Sequence, residues 1–180
     1  MKDKLGQFLL EWRVKTVLPH ISGNYLDVGC GTNEIVKSYS GKGTGVDVYP
    51  WDGTDLVVED TAKLPFDDKT FDTVSIIAAL NHIPNREDVI REIKRILRDD
   101  GKLILTMIPP RFSRLWHFFR KPWDADQHER GMKSGEVFGL TTKEIEKILS
   151  KVELELVYQK QFMMGLNHLL IAKKRNSISK

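Results

Sequence analysis

The stretch Tyr25–Asn33, YLDVGCGTN, constrains this chain more than any other. A short apolar run carries an acid, Asp27, and then breaks into a tight turn, Gly29-Cys30-Gly31. Only glycine takes positive φ without steric cost and lets backbone approach a ligand this closely. The helix expected after the turn offers free N–H groups at its start. A strand, a glycine turn and a helix in succession make the layout of a nucleotide-type site.

The flanking pattern extends this unit into an α/β chain. Leu5, Phe8, Leu9 and Trp12 fall at helical spacing and predict an amphipathic helix over 2–17. Pro19 and Ser22-Gly23-Asn24 end it. Strands are expected at Tyr25–Val28, Thr44–Val48 and Leu56–Val58, with a short helix over Asn33–Tyr39. Asp72–Ala79 is almost continuously apolar, as a central parallel strand reads when both faces are covered. Val89, Ile90, Ile93, Ile96 and Leu97 make one stripe of a helix over Arg86–Arg98, with Asn85 as N-cap and Gly101 as stop. Lys102–Ile108 is a fifth strand. Thr141 and Glu144 form a capping box for the next helix, and Glu153–Lys160 and Leu166–Lys173 form a C-terminal hairpin. The expected fold is a three-layer Rossmann-like sandwich, with a mostly parallel seven-strand-type sheet and an antiparallel C-terminal hairpin strand. Only turn chemistry separates Asp47 from Leu56, whereas a parallel crossover usually takes about a dozen residues. The front half of the sheet is therefore trimmed.

At 180 residues the chain reads as one domain over 1–175, with 176–180 a disordered polar tail. A net charge of +3 does not argue for nucleic acid. No apolar run reaches the roughly 20 residues of a membrane span. One cysteine excludes an internal disulfide, and with a charged N-terminus it favours a cytoplasmic protein. No Cys/His cluster points to a metal. Nothing in the sequence sets the oligomeric state.

Two adenosine ligands compete for the glycine turn. A dinucleotide fingerprint needs a third glycine where Glu34 stands, and glutamate is badly placed against a pyrophosphate. Asp27 instead suits a ligand that is positively charged near the turn, as S-adenosylmethionine is through its ammonium and sulfonium. YLDVGCGTN resembles the first motif of class I S-adenosylmethionine-dependent methyltransferases. Further motifs follow in the family's order. They are Asp47 in TGVDV, Glu59-Asp60-Thr61-Ala62 with Leu64-Pro65-Phe66, Phe71-Asp72-Thr73-Val74 with Asn81-His82-Ile83, and Ile90–Leu97 with Asp99-Asp100-Gly101-Lys102-Leu103. The match runs from about residue 24 to 109 and is nearest the broad small-molecule type, which includes quinone-biosynthesis enzymes.

The resemblance implies roles. Asp27, Gly29, Cys30 and Gly31 line the methionine half of the cofactor, and Asp47, with Val48 beside it, takes the ribose hydroxyls. Asp60 and Thr61 meet the adenine. Ala78 and Ala79 at the exit of the central strand leave room and a carbonyl for the ammonium, with His82 just beyond. Asn33 stands where the family often has glycine, and asparagine also tolerates left-handed backbone. Tyr49 or Trp51 covers the adenine side left open by the short crossover. Asn81 replaces a common glutamate.

Methyl transfer from a sulfonium needs positioning, and a base only where the nucleophile holds its proton tightly. His82, His117 and His128 are the candidate bases. Residues 111–140, aromatic and basic, form an inserted lid or substrate segment at the carboxyl edge of the strands. Its composition suits an aromatic or anionic small-molecule substrate. Trp116, Phe118, Phe119 and Trp123 also suit a peripheral membrane contact. The leading reading is methyl transfer to a small molecule, with no nucleic-acid partner. A non-catalytic cofactor-binding or partner-binding module and an NAD-type enzyme are the alternatives.

Overall fold

The structure is a computed structural model that describes residues 4–110, 135, 137 and 139–175. Its strands are β1 (Tyr25–Val28), β2 (Gly43–Asp47), β3 (Leu56–Val57), β4 (Phe71–Ile77), β5 (Leu97–Met107), β6 (Leu154–Phe162) and β7 (Asn167–Lys174). Its helices are α1 (Lys4–Val17), α2 (Glu34–Ser38), α3 (Arg86–Ile96) and α4 (Thr142–Lys151). The strands form one sheet in the order β3-β2-β1-β4-β5-β7-β6. β1 to β5 are parallel, and β7 runs antiparallel between β5 and β6. The sheet is the seven-strand, mostly parallel arrangement expected from the strand and helix pattern.

Side-chain alternation sorts the sheet into two faces. Leu26, Val74, Ile76, Leu103 and Leu105 meet Val89, Ile90 and Ile93 of α3 and Ile145 and Leu149 of α4 in one buried cluster. Tyr25, Ile104, Leu169 and Ile171 point the other way, to a second cluster with Val17 at the end of α1 and Ile35 of α2. Leu9 and Trp12 of α1 pack onto that cluster half-buried. β4 is nearly continuous in buried residues because it lies between both layers.

Helix α3 ends five residues before Gly101, at Ile96, so glycine is not its stop. The chain entering β4 ends it instead. Lys69 N–H donates to the Arg95 carbonyl at 3.0 Å and Thr70 N–H to the Ile96 carbonyl at 2.8 Å. Leu97 then turns extended and pairs with Phe71, so β5 begins there. Asn85 occupies the N-cap position, but its side chain makes no capping bond; its Nδ2 donates to Asp60 Oδ1 at 3.3 Å. At α4 the capping box is complete: Glu144 N–H donates to Thr141 Oγ1, and Thr141 N–H to Glu144 Oε2 at 2.7 Å. Of the expected lid over 111–140, only Gly135, Val137, Gly139 and Leu140 are described, and the tail 176–180 lies outside the described residues.

The short crossover is held by a side chain. Asn33 sits in left-handed backbone, φ 64°, immediately before α2. Its Nδ2 donates to the Gly53 carbonyl at 3.0 Å and to Asp55 Oδ2 at 2.8 Å, and that same Asp55 oxygen accepts from Gly45 N–H at 2.7 Å. One amide thus ties α2, the β2–β3 connection and β2 together. Asn33→Gly keeps the backbone conformation and loses both bonds inside a buried site. It should destabilise the chain by about 1–3 kcal/mol, read as a lower urea midpoint at unchanged m-value. Asn33→Ala should cost more, because alanine also disfavours that backbone.

Candidate cofactor and active site

The carboxyl ends of β1, β2 and β4 meet at the glycine turn. Gly29 and Cys30 N–H both donate to the Val46 carbonyl, at 2.8 and 3.1 Å, which stitches the turn to β2. Gly29 has φ 74°, and a Cβ there would come 2.8 Å from the Ala79 Cβ. Gly31 has φ 53°, and a Cβ there would meet nothing within 4 Å, so the turn presents bare backbone to open space. That space is a cavity of about 470 Å³.

Asp27 lies on the cavity floor, 2% exposed. Its Oδ1 accepts from Ser75 Oγ at 2.5 Å, and the Tyr25 hydroxyl lies 2.7 Å from the same Ser75 oxygen. Burial, opposed by the Ser75 hydrogen bond and reinforced by the charge of Asp47, pushes the Asp27 carboxyl up to about 7. Asp47 is also buried. Its Oδ2 accepts from Gly31 N–H and its Oδ1 from Tyr49 N–H, both at 3.0 Å. Each oxygen keeps a further lone pair. Asp60 Oδ1 accepts from Ala62 N–H at 2.9 Å. The Cys30 thiol is pushed up to about 12, first by burial and then by Asp27 and Asp47, so it stays protonated.

The structure brings together Asp27, Gly29, Cys30, Gly31, Asp47, Val48, Asp60, Thr61, Ala78 and His82 around this one cavity. Trp51 lines it too, with the Tyr49 ring tilted against it at a centroid distance of 4.5 Å. His117 and His128 lie outside the described residues. Three features escaped the sequence reading. Ala78 adopts φ 54°, which a non-glycine residue tolerates only under local constraint, and no glycine marks the spot. Arg86 braces the exit of β4: its Nε donates to the Leu80 carbonyl, and its guanidinium also reaches the carbonyls of Asn81 and Gly135. The Asn81 carbonyl further accepts from Val137 N–H at 3.0 Å, so this position anchors the segment that returns toward α4. Leu10 and Arg13 of α1 complete the wall, far from the motif in sequence.

A family model described as a methyltransferase domain matches residues 26–105. That match supports the class I S-adenosylmethionine-dependent methyltransferase superfamily. A sterol 4-C-methyltransferase of Caenorhabditis elegans is 34% identical over 98 residues, covering 44% of this chain and 29% of that protein. A demethylmenaquinone methyltransferase of Thermotoga maritima is 25% identical over 135 residues, covering 63% of this chain and 59% of that protein. The chain thus spans less than two thirds of the length of these curated relatives. A putative methyltransferase solved in complex with the Trm112 methyltransferase activator of Haloferax volcanii has the same fold. Its TM-score is 0.75 at 15% identity, over 95% of this chain and 93% of that one.

The cofactor of this methyltransferase domain is S-adenosylmethionine. The cavity fits such a group: Gly31 leaves a surface that a side chain would fill, Asp47 keeps lone pairs for a diol, and Asp27 offers a charge opposite to that of a sulfonium or ammonium.

Asp27 generates a pH-dependent prediction with two signs. Its folded pKa, about 7, lies above the ordinary 3.8. It therefore favours the fold fully only below pH 3.8, and that contribution is lost as pH rises through 7. Asp27→Asn should raise Tm relative to the parent by an amount that grows from pH 5.5 to 8, roughly 2–4 °C per kcal/mol relieved. A cationic ligand prefers the ionised carboxylate. Calorimetric affinity of the parent for S-adenosylmethionine should therefore climb between pH 5.5 and 7, by up to about tenfold per unit, and Asp27→Asn should flatten that slope.

Proposed function

We propose that this domain transfers a methyl group from S-adenosylmethionine to a small-molecule acceptor. The observation that carries the reading is the convergence of Asp27, Asp47 and the bare glycine turn on one cavity, with His82 on the wall at the exit of β4. Asp27 and the Gly29–Gly31 backbone hold the methionine half, Asp47 the ribose, and Asp60 with Thr61 the adenine. The bound cofactor supplies a methyl already activated by its sulfonium, so the protein's task is to align the acceptor and exclude water. His82 takes the acceptor's proton where one must leave. The acceptor enters at the carboxyl edge of the strands. The named relatives methylate a sterol and a demethylmenaquinone, which supports an apolar, ring-bearing acceptor.

Two measurements test this. Asp47→Ala removes a charged acceptor and should weaken S-adenosylhomocysteine binding by about 10- to 100-fold; unchanged affinity removes Asp47 from the site. Release of S-adenosylhomocysteine from S-adenosylmethionine, followed over a panel of sterols, quinols and phenols, should rise with at least one class. No release with any acceptor, alongside intact cofactor binding, favours the second reading.

That second reading is a module that works with a partner protein. The edge strand β3 has only two residues, with Val57 exposed on it, and Val48 and Tyr49 are exposed just past the end of β2. Exposed apolar side chains at that end of the sheet offer a contact surface for a partner, and the Haloferax neighbour was solved as a complex with an activator.

A further inference from the structure

Arg13 projects from α1 into the cavity wall, and its surroundings are unusual for a guanidinium. Its Nε is fully shielded from solvent and has no hydrogen-bond partner. Among the described residues no carboxylate forms an ion pair with it, although Asp27, Glu34, Asp47, Glu59 and Asp60 line the same cavity. Glu34 pairs instead with Lys37 at 3.6 Å, and Asp47 is engaged by backbone N–H groups. Among the described residues lining the cavity, Arg13 is the only arginine or lysine.

A guanidinium cannot discard its proton to escape burial. Desolvation pushes the Arg13 pKa down. Arg13 is half-buried, but a shielded Nε–H without an acceptor is costly, and an anion entering the cavity satisfies it. The amino-acid end of the cofactor carries both an ammonium and a carboxylate. Anionic groups and carbonyls on β1 and β4 suit the ammonium. They repel the carboxylate, whose fork of two oxygens matches the fork of a guanidinium.

We propose that Arg13 is the carboxylate-binding residue of the cavity and takes the carboxylate of the cofactor's amino-acid end. The proposal rests on the cofactor assignment above and adds a contact from outside residues 26–105, the part the family model covers. It gives α1 a role beyond packing. The helix closes the cavity by an ion pair that exists only when the ligand is present. The chemistry has a second source, a carboxylate on the acceptor, and the ligands of the test separate the two.

Binding of S-adenosylhomocysteine and of 5′-methylthioadenosine, which lacks the amino-acid end, is measured by calorimetry on the parent, Arg13→Gln and Arg13→Lys. Ligand-free Tm is recorded alongside. Arg13→Gln should weaken S-adenosylhomocysteine by at least tenfold and change 5′-methylthioadenosine by less than twofold, and Arg13→Lys should recover part of the loss. Ligand-free Tm of Arg13→Gln should equal or exceed that of the parent, because an unpaired charge has been removed. Equal losses on both ligands, or a lower Tm, assign Arg13 a structural role and overturn the proposal. No loss on either ligand also overturns it and leaves an acceptor anion as the partner. If the parent binds neither ligand, the cofactor assignment itself fails.

Discussion

A carboxyl group buried on the floor of a sheet is the constraint around which this molecule is arranged. Asp27 sits on β1 beside β4, and water cannot solvate it. The Ser75 hydroxyl satisfies one oxygen, with the Tyr25 hydroxyl behind it. Asp47 stands close enough to raise the cost of ionisation further. Two acids held near each other in a shielded place oppose folding at neutral pH. In the proposed reading the same arrangement attracts a cationic ligand to the end of the glycine turn. Stability and binding thus pull Asp27 in opposite directions, as is common where a site is preorganised for charge.

The other parts of the front half compensate for economy of chain. A parallel pair normally needs a helix between its strands, and here β2 and β3 are joined by a turn. The missing helix would have clamped β2 from outside. The Asn33 amide does that work from inside, by reaching Gly53 and Asp55 across the start of α2. The same residue supplies the left-handed turn that glycine would otherwise supply. In the short connection Trp51 lines the cavity, and the Tyr49 ring leans against it.

Several of these features were legible in the chain. The glycine turn has a local cause, since positive φ at Gly29 and Gly31 is a property of the residue type. The capping box of α4 is a contact between positions three apart and needs no tertiary context. The stripe of α3 and the apolar run of β4 follow from period and burial. The end of α3 was not legible, because it is set by Lys69 and Thr70, which arrive from a different element to take its last carbonyls. Ala78 was misleading for the opposite reason: its backbone is forced by neighbours, with Ala78 N–H bonded to the Thr106 carbonyl of β5, and alanine carries no sign of it.

The sequence by itself determined the fold class and singled out the acids that the structure gathers around one cavity. Strand-end acids, a glycine turn and alternating apolar periods are local signals that survive without coordinates. Only the tertiary structure decided what stands opposite those acids. Arg13 reads in sequence as one charge on an amphipathic helix, indistinguishable from Lys15 two positions on. Packing α1 across the sheet turns one of those cations to the cavity wall and leaves the other exposed, and no periodicity reports which neighbours a buried charge will lack.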